Sequence, residues 1–258
     1  MNSVKLKIRN RVQSFLFKFI NQRPTQELKN LIVQFTKQRI QKLPADEALR
    51  FLFELDAALY PLKGQLAIAY GNGVHTKHRH MKYHDFFVDR IQPQEQVLDI
   101  GCGYGSLAYD IAEKANANVV GIDLNSKNIE KAQQKFAHPN IEYYVGDALA
   151  DLPEKIFDVV VLSNVLEHLP ERPEFLQQVQ ATIQPKRILI RVPLFERDWQ
   201  VPLKKELGVE WRLDPTHYTE YTQESFAEEI AKANLKFVHH EIRWSEIWTE
   251  VVSNAPKS

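Results

Sequence analysis

The sequence predicts a doubly wound α/β fold: a mostly parallel, seven-stranded sheet ending in a C-terminal antiparallel hairpin, preceded by a helical N-terminal region. Three observations predict it. From about residue 94, short β-branched runs alternate with helical stretches, and near-continuous apolar strands separated by helices belong to a parallel sheet covered on both faces. Three of the nine glycines crowd into "LDIGCGYGSL", residues 98–107, where one such run gives way to a helix. The last two apolar runs are only three residues apart, too close for a parallel crossover, so they pair antiparallel.

The elements follow in order. Residues 1–92 read as helical and irregular, with apolar side chains such as Leu28, Leu31, Ile32 and Phe35 at helical spacing. Pro24, Pro44 and Pro61 punctuate that region. Residues 93–258 form the second domain. Its strands are "QVLDI" (96–100), "NVVGID" (118–123), "IEYYV" (141–145), "FDVVVLS" (157–163) and "RILIRV" (187–192). Helices lie near 105–115, 126–137 and 173–183, and another is expected in "TQESFAEEIAKAN" (222–234). "LKFVHHEI" (235–242) and "EIWTEVV" (246–252) make the closing hairpin.

Composition narrows the partners. The 258 residues are 26% charged and 44% hydrophobic with a formal net charge of zero, so the chain as a whole gives no sign of nucleic-acid binding. Residues 1–42 hold ten Lys/Arg against the single acid Glu27, a local charge of +9 that the rest must balance with about −9. Lys5, Lys7, Arg9 and Arg11 precede Phe15, Leu16, Phe17, Phe19 and Ile20, a basic amphipathic pattern suited to peripheral membrane contact through residues 1–20. "SFLFKFI" is short, is broken by Lys18 and lacks a small-residue cleavage site, so it is not read as a signal peptide. No run approaches the roughly 20 apolar residues that span a bilayer. The single cysteine, Cys102, excludes an internal disulfide framework and fits a reducing, cytoplasmic setting.

The glycine loop carries the first chemistry. Glycine lets a bound molecule approach the main chain, and in open α/β sheets ligands bind beyond the carboxyl ends of the strands. Asp123, at the end of the second strand, is placed to accept ribose hydroxyls, and Asp147, after the third, to accept from an adenine amine. A dinucleotide needs G-x-G-x-x-G with backbone amides facing a pyrophosphate. Here the pattern is D-x-G-x-G-x-G, led by Asp99. A carboxylate so near repels a diphosphate and suits a cation with an amino group. S-adenosyl-L-methionine is such a ligand.

At these residues the chain resembles the class I S-adenosylmethionine-dependent methyltransferases. "VLDIGCGYG" matches their first motif, "GIDLN" their ribose-binding strand end, "GDA" their adenine-side acid and "FDVVVLSNVLEHL" their fourth-strand motif, in the family's order over about residues 94–252. The resemblance implies a Rossmann-like methyltransferase fold, with Asp99, Gly101 and Gly103 on the methionine side and Asp123 on the ribose. Cys102, Leu124, Asp147, Ala148 and Asn164 stand in the same motifs and are assigned with them to the cofactor. Cys102 is there a small apolar filler rather than a reactive thiol.

Methyl transfer needs an aligned acceptor and a group to take its proton. "SNVLEHLPERP" after the fourth strand offers Glu167 and His168, and "DPTHYTEYT" (214–222) adds His217 and Glu220. Glu167, His168 and His217 are the expected catalytic residues. The set looks like that of metal-assisted O-methyltransferases, whose Glu-x-x-Glu-His motif holds a divalent ion. Asn164 replaces the first Glu, which weakens a hard-cation site, so no metal is expected. "YGNGVHTKHRHMKYHDFF" (70–87) has His75, His78, His80 and His84 without the acids or cysteines of a zinc site. Its Lys77 or Arg79 is placed to meet a carboxylate or phosphate. The expected function is O-methylation of a hydroxyl on a small molecule or glycan. An RNA-end 2′-O-methyltransferase and a non-catalytic partner with the same fold are the alternatives.

Overall fold

The computed structural model describes residue 14 and residues 17–254. The chain divides into two compact units after Leu59. In the first, helix α1 (Thr25–Ile40) buries none of its residues; Ile32 and Phe35, read as a helical face, are both more than half exposed. Helix α2 (Ala45–Tyr70) runs through Pro61. That proline does not punctuate the chain as expected: the one backbone hydrogen bond it removes is few against the rest of a 26-residue helix.

The second unit begins with the end of α2 and two short helices, α3 (Lys77–Met81) and α4 (Tyr83–Val88), hinged at Lys82 with φ +50°. The sheet follows: β1 (Gln96–Ile100), β2 (Asn118–Asp123), β3 (Ile141–Val145), β4 (Val159–Ser163), β5 (Arg187–Pro193), β6 (Leu235–Arg243) and β7 (Glu246–Ser253). Their order is β3-β2-β1-β4-β5-β7-β6. The first five are parallel, and β7 runs antiparallel to both β5 and β6. The expected sheet and hairpin are therefore present. Crossover helices α5 (Ser106–Ala115), α6 (Ser126–Lys135) and α7 (Arg172–Ile183) cover it. Among the described residues no helix fills 146–158, between β3 and β4. The fourth strand starts at Val159 rather than 157; just before it, the Asp158 side chain accepts from the Gln96 N–H, 2.8 Å away.

Period-2 alternation sorts the strand side chains to two faces. Leu98, Ile100, Ile122, Val160 and Leu162 enter one buried cluster with α7, while Val97, Val119, Val159 and Val161 enter the other with α5. Fully burying each such side chain contributes roughly 1.5–3 kcal/mol. Phe86 and Phe87 of α4 belong to the second cluster, with Phe86 5.5 Å from the buried Trp248 ring. This packing fixes the histidine-rich segment beside the end of β1.

After β5 the chain makes a 3-10 turn (Phe195–Arg197), helix α8 (Gln200–Glu206) and a long loop to α9 (Gln223–Lys232). The loop is drawn back to the sheet by a bridge between Leu194 and Tyr221 and by hydrogen bonds from the Tyr218 and Thr219 N–H groups to Glu167 O. That return brings the "DPTHYTEYT" segment to the "LEHL" segment.

Candidate active site

The glycine turn connects β1 to α5. Gly101 lies at φ +70° and Gly103 at φ +56°, a region L side chains rarely enter. A Cβ on Gly101 would come within 2.7 Å of Val165 Cγ2, whereas one on Gly103 would meet nothing within 4 Å. Gly103 therefore turns an open face to its surroundings. The turn's amides are engaged within the protein. Gly101 and Cys102 N–H both donate to Ile122 O at 2.8 and 3.0 Å. The Gly103 N–H donates to Asp123 Oδ2 at 2.9 Å. Asp123 Oδ1 also accepts from the Asn125 N–H and the Asn128 amide at 2.9 and 3.0 Å.

Asp99, Gly101, Cys102, Gly103 and Asn164 line one cleft of about 240 Å³ with Lys77, Tyr83, Ser163 and Arg191. Asp99 is 1% exposed, and its Oδ2 has no hydrogen-bond partner among the described residues. Burial, with the nearby charge of Asp123, pushes its carboxyl up to about 8. A buried carboxyl without a partner is costly to ionise. Lys77 stands exposed at the rim without an ion pair among the described residues. Arg191, 5% exposed, grips Glu246 with two nitrogens at 2.5 and 2.8 Å and donates a third to Ser163 Oγ at 3.2 Å. Burial and then the charges of Asp99 and Asp123 raise the Cys102 thiol above its usual range, which fits a packing role.

Four assigned residues lie outside this cleft's lining; Asp123 is one, bound to the turn through the Gly103 N–H. Leu124 is 74% exposed beyond Asp123. Asp147 Oδ1 caps its own turn by accepting from the Leu149 N–H at 2.9 Å, and Ala148 packs partly buried against the core. In the histidine-rich segment, His78 lines the cleft and hydrogen-bonds the Tyr83 hydroxyl at 3.0 Å. Burial first, then His84 and Lys77, push its imidazole down to about 4. His84 pairs with Asp110 at 2.6 Å.

The three expected catalytic residues come together. Glu167, His168 and His217 each bring one carboxylate oxygen or ring nitrogen to within 4.8 Å of the others. His168 and His217 stack edge to face at 4.6 Å and line a cleft of about 550 Å³ with Arg212, Pro215, Thr216 and Tyr218. Glu167 is fully buried beneath them; burial pushes its carboxyl up to about 7 against the opposing hydrogen bond from Asn164 Nδ2 to Oε1 at 2.8 Å. Asn164, at φ +58°, thus both lines the glycine-loop cleft and holds Glu167. Its amide occupies a carboxylate oxygen where the similar motif offers a second acid. His168 is lowered by burial and then by His217.

Sequence reasoning missed Tyr83, Ser163 and Arg191 as cleft residues and Asp214 and Thr216 as partners of the histidines. The one available signal for Arg191 was a cation inside the otherwise apolar run "RILIRV".

A family model described as "Methyltransferase domain" matches residues 74–240. Over 159 residues the chain is 27% identical to 2-methyl-6-phytyl-1,4-hydroquinone methyltransferase of a Synechocystis species, covering 57% of this chain and 48% of that protein. Over 104 residues it is 34% identical to the ubiquinone biosynthesis O-methyltransferase of Actinobacillus pleuropneumoniae, covering 37% of this chain and 44% of that one. The chain thus spans less than half the length of these relatives. Among solved structures, a TehB-like SAM-dependent methyltransferase from Corynebacterium glutamicum superposes with a TM-score of 0.52 at 18% identity, over 78% of this chain and 99% of that one. An O-methyltransferase from neocarzinostatin biosynthesis, solved with S-adenosyl-L-homocysteine, gives a TM-score of 0.50 at 17% identity over 62% of this chain and 49% of that one. These two likenesses show the fold.

Proposed function

The chain belongs to the methyltransferase-domain family, and from that premise we propose that it methylates a hydroxyl group of a small molecule or glycan, using S-adenosyl-L-methionine. One observation carries the reading: a buried, unpartnered Asp99 carboxyl lines a cleft whose glycine-turn amides at 101–103 are already engaged. A diphosphate would need those amides free and would face the acid. A ligand with an ammonium and a ribose, and no phosphate, fits the groups present. The names of the O-methyltransferase relatives agree with a hydroxyl acceptor.

When bound, the donor supplies a methyl group on a sulfonium, already electrophilic. The protein's own residues bind and orient. Asp99 receives the ammonium, Lys77 the carboxylate at the rim, and Asp123 the ribose hydroxyls. Asn164 and Glu167 link this cleft to the second one, where His168 and His217 receive the proton of the acceptor hydroxyl; imidazole is suited to that at neutral pH. In this reading residues 93–258 are the methyltransferase domain, and the preceding helical region contributes Lys77.

The test is transfer of labelled methyl from S-adenosyl-L-methionine into cell-extract acceptors. His168→Gln and His217→Gln should lower turnover while leaving cofactor affinity near normal. Unchanged turnover in both variants would misplace the acceptor side.

The same reading puts the protein in the cytoplasm, with residues 1–20 against an anionic membrane surface. Lys5, Lys7, Arg9 and Arg11 lie outside the described residues; Phe17, Phe19 and Ile20 are exposed. Among the described residues no helix is long and apolar enough to cross a membrane. Binding of anionic vesicles by the full chain, and not by one starting near residue 25, supports the contact. Equal binding, or none, refutes it.

A further inference from the structure

We infer that Glu220, Thr216 and Asp214 are positioning residues that hold His217 and His168 as Nδ1–H tautomers, so that both imidazoles keep an unprotonated Nε2. The inference rests on the proposed reading of their cleft as the acceptor site.

Hydrogen-bond direction carries the argument. Thr216 has one hydroxyl proton, and it goes to Asp214 Oδ1 at 2.7 Å. Asp214 is an acceptor only, because the backbone and side-chain hydrogen bonds of Thr216 hold its carboxyl below the usual range. Thr216 Oγ1 can then only accept from His168 Nδ1, 3.0 Å away, so the proton of that pair sits on Nδ1. For His217 the partner is Glu220, whose Oε1 lies 3.1 Å from Nδ1 and whose side chain is fully buried. Burial raises the Glu220 carboxyl, but hydrogen bonds from His217, the Leu213 N–H and Arg197 outweigh it and leave it ionised. It too can only accept. A carboxylate behind each ring thereby fixes its tautomer and makes the outward nitrogen the better base.

The cation at the same cleft does not compete for this role. Arg212 is held by Glu210 at 2.9 and 2.8 Å and by His217 O at 3.1 Å. Apart from the Tyr218 hydroxyl, the polar side chains lining the cleft are left accepting protons or already paired. A cleft so built takes hydroxyl-bearing groups.

Tautomers are read directly by long-range proton–nitrogen correlation on the uniformly ¹⁵N-labelled full chain, EDTA-treated, at a pH where both rings are neutral. His168→Gln and His217→Gln assign the signals by their loss. The expected result is a pyrrole-type Nδ1 and a pyridine-type Nε2 for both rings. Thr216→Val should send His168 toward the Nε2–H form and leave His217 unmoved, and Thr216→Ser should restore it. Turnover of Thr216→Val should fall roughly tenfold or more with cofactor KM unchanged. An Nε2–H tautomer for either ring in the unmodified protein overturns the inference, and that measurement stands even if Thr216→Val does not fold. Correct tautomers combined with full turnover in the His168→Gln and His217→Gln proteins would instead defeat the acceptor-site reading alone.

Discussion

Gly103 donates its backbone N–H to the Asp123 carboxylate across 2.9 Å, so the acid closing β2 anchors the glycine turn that lines the cleft. Asp123→Ala removes this anchor together with the proposed ribose contact. Hydrogen bonds to charged groups are worth about 1.5–3 kcal/mol, so affinity for S-adenosyl-L-methionine should fall roughly tenfold to a hundredfold by calorimetry. Near-normal affinity would refute the ribose assignment.

Two glycines in the turn should respond differently to the same substitution. Gly101→Ala places a methyl group 2.7 Å from Val165 Cγ2 on top of a left-handed backbone cost of about 1–2 kcal/mol. Its main effect should be a melting temperature several degrees lower. Gly103→Ala carries the backbone cost alone, since nothing lies within 4 Å of its Cβ. Its loss should show chiefly in cofactor affinity. Equal effects of the two on both readouts would contradict the view that Gly103 faces the ligand.

Much of this architecture was legible because a doubly wound sheet writes itself into local sequence. The β1, β2 and β3 ranges match their apolar runs residue for residue, and the three-residue spacing gave the β6–β7 hairpin. Asp99 and Asp123 were legible by position: Asp99 is the penultimate residue of β1, just before the glycine turn, and Asp123 closes β2. Long-range pairing was not. Arg191 reaches Glu246, 55 positions away, through the insertion of β7 beside β5, and no local pattern announces that. The exposure of Ile32 and Phe35 was equally hidden, since helical spacing marks an apolar face without saying what covers it.

Asp99 gives the unliganded protein a pH dependence. Its carboxyl is raised from 3.8 to about 8 in the fold, so between those values the folded state holds a proton that the unfolded chain has lost. Stability from this group therefore falls as pH rises from about 4 to 8. Asp99→Asn should flatten that slope in melting curves and raise the melting temperature at pH near 8, while weakening cofactor binding. An unchanged slope would mean that Asp99 is already ionised without ligand.

Lys77 and Arg79 sit in the same short helix, yet Lys77 lines the cleft and Arg79 does not. Lys77→Met should weaken cofactor binding by up to roughly fivefold, the range of an exposed ion pair, and more at low salt. Arg79→Met should leave it unchanged. The reverse order would move the carboxylate contact to Arg79.

The most direct measurement is a calorimetric titration of the full chain with S-adenosyl-L-methionine and, separately, with a nicotinamide dinucleotide. Saturable one-to-one binding of the sulfonium compound, with no heat from the dinucleotide, is the expected result. Binding of the dinucleotide in its place would contradict the claim that the Asp99 cleft is built for a cation.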